Sequence, residues 1–235
     1  MAANIAFNTL YKSQYNDQFT VKIHDYLGTF TAFERTMSCH DLYIETTGDD
    51  RDPLDRIKPC KAGLSFYCLD VYTRSFKDEL FDSEEGRFYL EILEGGERIF
   101  FGRILSNGYS EADDPEPEIV LTAIDGITTL KTINYVHPNT GLATLKDIIV
   151  KCLNGIDVIT KYYSSSDKII IHSSNLKNGL GDDVLTTTLH YDYFFTFSNN
   201  TKKALKYYDV LEEILKRYHL TLKYEDGLYL SLIHI

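Results

Sequence analysis

Apolar and polar residues alternate one for one from Phe19 to His24, the pattern of a strand with one face buried. Leu42–Gly48 is β-branched, closes on glycine and predicts a second strand. The stretch Gly48–Gly63 holds two prolines and a run of charges and predicts a loop, after which Leu64–Tyr72 is again strand-like. Residues 76–86 predict a short helical turn or an acidic loop. Two alternating runs, Arg87–Leu93 and Arg98–Leu105, flank Glu94-Gly95-Gly96-Glu97 and predict a tight hairpin, because glycine supplies the positive φ such turns demand. Residues 109–118 predict an acidic loop. Glu118–Gly126 is a strand ending on Asp-Gly, and Ile127–Ile133 a helical turn.

Past His137-Pro138-Asn139-Thr140-Gly141 the period changes. Leu142, Leu145, Ile148, Ile149, Cys152 and Leu153 share one helical face, Thr144 and Asp147 have capping spacing, and Gly155 fits a stop. Lys168–His172 predicts a short strand and residues 173–183 a loop, while the polar-aromatic run 190–197 fits no period. A second helix is expected from Thr201 to Tyr218, with Leu205, Tyr208, Leu211, Ile214, Leu215 and Tyr218 on one face and Lys216 and Arg217 in its last turn. Leu220–Tyr224, then Glu-Asp-Gly, then Leu228 onward form a closing hairpin. The expectation is an α+β protein: a β-rich, barrel-like or sandwich-like domain over residues 1–138, then a smaller α+β domain over 139–235 with two amphipathic helices.

Composition narrows the classes. With 43% hydrophobic and 13% aromatic residues the chain can build a core, which excludes a disordered polymer. A net charge of −11 and no Lys/Arg stripe argue against nucleic acid as a partner. No basic segment followed by an apolar run opens the chain, and no apolar run approaches the roughly 20 residues that span a bilayer, so membrane insertion is not expected. Four scattered cysteines suit assembly in a reducing cytoplasm. Eighteen tyrosines and no tryptophan suit strand surfaces and interfaces.

Candidate chemistry is sparse. The nucleotide, zinc-protease, EF-hand and serine-hydrolase motifs are absent from the sequence. Cys39 and His40 are adjacent, which on a strand points them to opposite faces. Cys39, His40, Cys60 and Cys68 lack the paired spacing of a zinc knuckle. Asp49, Asp50, Asp52 and Asp55 read as a hydrated loop ahead of a calcium site. Glu94 and Glu97 sit at an exposed hairpin tip, without the cleft a glycosidase pair needs. Neither a catalytic function nor a cofactor is expected.

The order of the segments carries a resemblance. Phe88–Ile92, then Ile99–Leu105 with Gly102, then Asp125-Gly126-Ile127-Thr128-Thr129-Leu130-Lys131 running to Tyr135, then Thr144–Leu153, then Tyr208–Tyr218 and a hairpin follow each other as in a known group. The chain resembles the baseplate-hub or tail-tip family of phage and prophage tail proteins over about residues 5–230. One departure is that Leu228 and Tyr229 follow Gly227 where that pattern has a tryptophan. The resemblance implies a structural virion protein of the phage tail, assembled in the bacterial cytoplasm, forming a homo-oligomeric ring and docking other tail proteins. Its motif residues, Gly102, Asp125, Gly126, Leu130, Lys131 and Tyr135, would be structural. Two alternatives stay open: a tail-associated cell-wall hydrolase, needing Cys39 or Cys60 beside a histidine or a converging carboxylate pair, and a carbohydrate-binding receptor-recognition module using tyrosine-rich strand faces.

The last six residues, Leu230–Ile235, match the in-frame translation of the transposon mosaic end used in sequencing adapters. They are read as adapter read-through in a metagenomic fragment, so that 229 residues are native and the second domain is truncated at its C-terminus.

Overall fold

The computed structural model of the chain describes residues 4–13, 17–26, 39–47, 56–67, 77–80, 82, 84, 86–105, 110–111, 118–137, 141–156, 169–171, 181–198, 201–225 and 227–233. The fold is α+β. The chain forms two compact units, residues 1–46 with 60–125, and residues 47–59 with 126–235, so it passes between them after Thr46, Pro59 and Asp125.

The first unit is one antiparallel sheet. Its strands are β1 (Asn4–Lys12), β2 (Gln18–Asp25), β3 (Cys39–Thr46), β5 (Cys60–Tyr67), β6 (Phe88–Glu94), β7 (Glu97–Ile104), β8 (Ser110–Glu111) and β9 (Glu118–Ile124), while β4 (Ile57–Lys58) belongs to the second unit. The order is β1-β2-β6-β7-β9-β5-β3, with β8 against β9. β1 and β3 end this order yet approach each other without pairing, and Phe7 of β1 lies 5.7 Å from Phe66 of β5. The sheet therefore curls around Phe7, Phe66, Ile23, Leu90, Ile92 and Phe100, all 3% exposed or less, but does not close into a barrel. Each such side chain stabilises the fold by about 2 kcal/mol relative to exposure.

The predicted glycine hairpin is β6–β7, with Gly95 at φ 57° and Gly96 at φ 93° between Glu94 and Glu97. Positive φ at both central residues matches the right-handed twist of the paired strands. Residues 77–80 form the helical turn that the acidic stretch 76–86 left open.

In the second unit, β4 pairs in parallel with β15 (Leu220–Glu225), β15 pairs with β16 (Leu228–Ile233), and β16 pairs in parallel with β11 (Ile169–Ile171). β10 (Leu142–Thr144) pairs with β12 (Thr188–His190), and β13 (Phe195–Ser198) with β14 (Thr201–Ala204). Helix α1 (Leu145–Leu153) buries Leu145, Ile148, Ile149, Cys152 and Leu153 at helical spacing. The Thr144 hydroxyl oxygen accepts the Asp147 N–H at 3.1 Å and donates to the Asp147 carboxylate at 2.7 Å. Helix α2 (Tyr207–Arg217) buries Tyr207, Val210, Leu211, Ile214 and Leu215. The two helices pack together, and a Cβ at Gly155 would lie 2.7 Å from the Tyr207 ring. Gly155 follows the end of α1, as the sequence suggested, and is also needed for close approach.

Three expectations are corrected. Within the stretch read as a loop, Ile57–Lys58 is β4 and Cys60 already begins β5; these strands are set by distant partners that leave no local period. Leu142 is in β10 and 59% exposed, outside the helical face assigned to it. The second helix starts at Tyr207, because Thr201–Ala204 turns back on the aromatic run as a hairpin and the Leu205 N–H donates to the Phe194 carbonyl. Tertiary pairing overrides helical periodicity there. The pairing of β16, which includes part of the adapter-like segment, is a main-chain ladder open to any alternating sequence.

Candidate functional site

The motif residues converge on two structural tasks. Gly102 lies in β7 where it crosses β9, and a Cβ there would come 2.5 Å from the Ile124 carbonyl oxygen. No side chain fits without moving main chain. Asp125, the last residue of the first unit, is fully buried. Its Oδ2 accepts the Cys60 N–H at 2.8 Å, and its own N–H donates to the Cys60 carbonyl at 3.1 Å. Cys60 in turn pairs with Thr46, so the three points at which the chain leaves or re-enters the first unit are tied together.

In the second unit Gly126 takes φ 90°, in the left-handed region that favours glycine, and its carbonyl accepts the Thr129 N–H at 3.0 Å. Ile127 and Leu130 of the 3₁₀ turn Ile127–Lys131 are fully buried. Lys131 is exposed, its Nζ 4.5 Å from the Tyr208 ring centroid. Tyr135 is buried, with Phe194 at 5.1 Å and Tyr207 at 5.7 Å between ring centroids. Its N–H donates to the Leu205 carbonyl, and the Tyr207 N–H donates to the Ile133 carbonyl, so this segment braces the start of α2. Lys206 completes the brace, its Nζ donating to the Thr132 carbonyl at 2.9 Å and Asn134 Oδ1 at 2.8 Å.

Two buried ion networks in the first unit escaped the sequence reading. Asp25, fully buried on β2, accepts two hydrogen bonds from Arg87, each 2.9 Å, and Arg87 also reaches Glu79 of the helical turn. Glu91 on β6 lies between His24 Nε2 at 2.8 Å and Arg98, whose Nε donates to it at 2.7 Å. Burial alone would raise the Glu91 carboxyl, but the His24 hydrogen bond and the Arg98 charge outweigh it and hold the group down at about 2. A carboxylate so firmly ionised and doubly bonded is a structural anchor and a poor proton donor at neutral pH.

The two described thiols are poor nucleophiles. Burial, with the Asp125 carboxylate adding, pushes the Cys60 thiol up to about 12, and burial raises the Cys152 thiol well above its ordinary value. Neither forms thiolate at neutral pH, the form a nucleophile needs. Cys68, the side chains of Cys39 and His40, and Asp49, Asp50, Asp52 and Asp55 lie outside the described residues. Among the described residues there is no cluster of three or more His, Cys, Asp or Glu able to hold a metal. Glu94 and Glu97 face each other across the exposed hairpin tip.

Large apolar side chains are exposed in the second unit, at Val136, Leu142 and Tyr193, and at the edges of the principal sheet. Leu10 on β1 is 51% exposed, and Tyr43 and Ile44 on β3 are 38% and 40% exposed. The Tyr43 ring covers Gly63 on β5, occupying the space a Cβ there would fill. A hollow of about 640 Å³ runs along β3, lined by Asp41, Leu42, Tyr43 and Ile44 on one side and by Tyr11, Ser13, Asp17, Phe19 and Ile99 on the other. Tyr11 and Phe19 are tilted rings 6.1 Å apart. Among the described residues no helix is long and apolar enough to cross a membrane.

No family model matches the chain, and no curated protein matches it. Among solved structures it is similar to the 43 kDa tail protein of prophage MuSo2 from Shewanella oneidensis, with 12% identity, 92% of this chain and 55% of that chain covered, and a TM-score of 0.47. It is also similar to the tail protein from Neisseria meningitidis MC58, with 12% identity, coverage of 91% and 50%, and a TM-score of 0.49. A third is prophage tail protein gp18 from Listeria monocytogenes EGD-e, with 11% identity, coverage of 90% and 49%, and a TM-score of 0.41. The chain spans about half the length of each.

Proposed function

We propose that the chain is a structural component of a phage or prophage tail, of the baseplate-hub or tail-tip kind, working by self-association and by docking other tail proteins within the virion. The observation that carries this reading is that three large apolar side chains, Leu10, Tyr43 and Ile44, stand exposed on the two edge strands of the principal sheet. Large apolar side chains left exposed on edge strands mark a surface suited to a partner, and on β3 they stand between the exposed acids Asp41 and Glu45. The motif order supports the same reading. Gly102, Asp125, Gly126, Leu130, Lys131 and Tyr135 then serve to hold strand crossings and helix starts in place, with no part in a reaction.

The test is assembly. Purified chain followed by light scattering over a wide concentration range should form a ring or bind a tail-tube protein, and immunocapture from virions should recover tail partners. A strict monomer with no tail partner recovered would overturn the proposal. Clearing of peptidoglycan in a zymogram would replace it with the hydrolase reading.

A further inference from the structure

The net charge of the chain is not shared between its units. Residues 1–46 and 60–125 hold 9 Lys and Arg against 20 Asp and Glu, a net −11, while residues 47–59 and 126–235 hold 15 against 15 and are neutral. Physiological salt largely screens exposed charges more than about 8 Å apart, so two copies feel chiefly the charges of the surfaces that meet. Copies meeting through their first units would press acid on acid, and net charge of one sign keeps proteins apart. The second unit carries no such penalty. It also bears the two most exposed large apolar side chains among the described residues, Val136 and Leu142, each 59% exposed. These stand at the ends of one continuous strip. Leu142 pairs with His190 across β10 and β12, the His190 ring lies 4.6 Å from that of Tyr191, and Tyr191 lies 6.3 Å from His137, the neighbour of Val136. Asp192, 3.3 Å from His190 Nδ1, is the acid at its border. Apolar and aromatic groups with little charge among them are the composition of an interface core.

We infer that the second unit is the self-association face of the chain, and that the strip from Leu142 through His190 and Tyr191 to Val136 is covered by a second copy. The inference rests on reading the chain as a self-associating tail protein and assigns that association to one surface, with the sheet edges of the first unit left to other tail proteins.

The test is made on the full chain over a wide range of concentration. Amide hydrogen exchange at residues 136–137, 141–144 and 188–191 should slow as concentration rises. Leu142→Lys, at an exposed strand position, should raise the dissociation constant measured by sedimentation about tenfold while the thermal midpoint of the dilute chain stays that of the parent. Should that variant fail to fold, Val136→Lys at the other end of the strip gives the same reading. Raising the salt from about 50 to about 500 mM should tighten association, because it screens the acidic first units while the strip bears little charge. Slowed exchange confined to β1 and β3 overturns the inference and moves self-association to the sheet edges. Parent-like association of the folded lysine variants, or association that weakens with salt, overturns it as well. A strict monomer that still recovers tail proteins from virions loses this inference and keeps the tail assignment. Association through the strip in a chain that recovers no tail protein does the reverse.

Discussion

The two units solve the problem of a unique core with different chemistry. In the first, main-chain pairing across one large curled sheet is fixed in register by buried charge: Asp25 with Arg87, Glu91 with His24 and Arg98, and the Asp125 carboxylate on the Cys60 N–H. In the second, short strands and two amphipathic helices gather around aromatic rings, Tyr135, Phe194 and Tyr207, and around Tyr224 packed on Tyr229 at 4.9 Å. Charge placed between strands specifies register, because a slip of one residue would leave an ion buried without its partner. Rings specify packing through shape and tolerate small shifts. The first unit should therefore be rigid toward substitution and sensitive to pH, and the second forgiving and indifferent to pH.

The sharpest break sets one glycine against another. At Gly102 an added methyl meets main chain, the Ile124 carbonyl oxygen at 2.5 Å, whereas at Gly155 the nearest obstacle is the Tyr207 ring at 2.7 Å. A strand crossing cannot retreat without losing its ladder, while a ring can tilt. Gly102→Ala is expected to cost about 4 kcal/mol and Gly155→Ala about 1–2 kcal/mol. Urea unfolding of both variants measures the difference, and equal costs would remove the distinction between backbone-limited and ring-limited packing.

Next in size is Glu91→Gln. Loss of a buried carboxylate that accepts from both His24 and Arg98 should cost about 2 kcal/mol at pH 7. The Glu91 carboxyl titrates near 2 when folded, below the ordinary value of 4.5. Its stabilisation is therefore complete above pH 4.5 and is lost as the pH falls from 4.5 toward 2. The variant should lack that part of the acid sensitivity, so that the gap between it and the parent narrows over this window in thermal melts. A gap that stays constant from pH 7 to 2.5 would mean the network does not hold the carboxylate ionised.

This contrast also marks what the sequence could disclose. α1 was legible because its apolar period of three to four persists over nine residues and its cap is local. The β6–β7 hairpin was legible because two glycines announce the turn. The ion networks were not, since Arg87 lies 62 residues from Asp25 and Glu91 lies 67 from His24, and no local pattern links them. One signal was available: Glu91 stands inside the apolar run Phe88–Leu93, and a carboxylate in a strand centre demands a cation. Leu42-Tyr43-Ile44 was readable as strand, but its edge position depends on the order of pairing, which five distant strands decide together. Where α2 begins was hidden for the same reason, because the main chain at Leu205 and Tyr207 is claimed by Tyr135 and Ile133.

The smallest effect probes the aromatic side of the comparison and should have the opposite sign. The Tyr135 hydroxyl oxygen is buried and has no hydrogen-bond partner among the described residues, while the ring is held edge-on to Phe194 and Tyr207. Burial, with the Cys152 thiol and the Tyr207 hydroxyl adding, raises this phenol above its ordinary value, so it stays neutral throughout the acid and neutral range. Tyr135→Phe keeps every ring contact and removes a polar atom whose hydration was lost without return. It is expected to stabilise the chain by about 1 kcal/mol, equally at pH 4 and pH 8. Denaturant midpoints at the two pH values, read with an unchanged slope, measure both parts of the expectation. A loss of stability would mean that the hydroxyl is held by a bond in solution, and a gain that varied between those pH values would mean that this ring cluster, like the strand charges, is coupled to a titrating group.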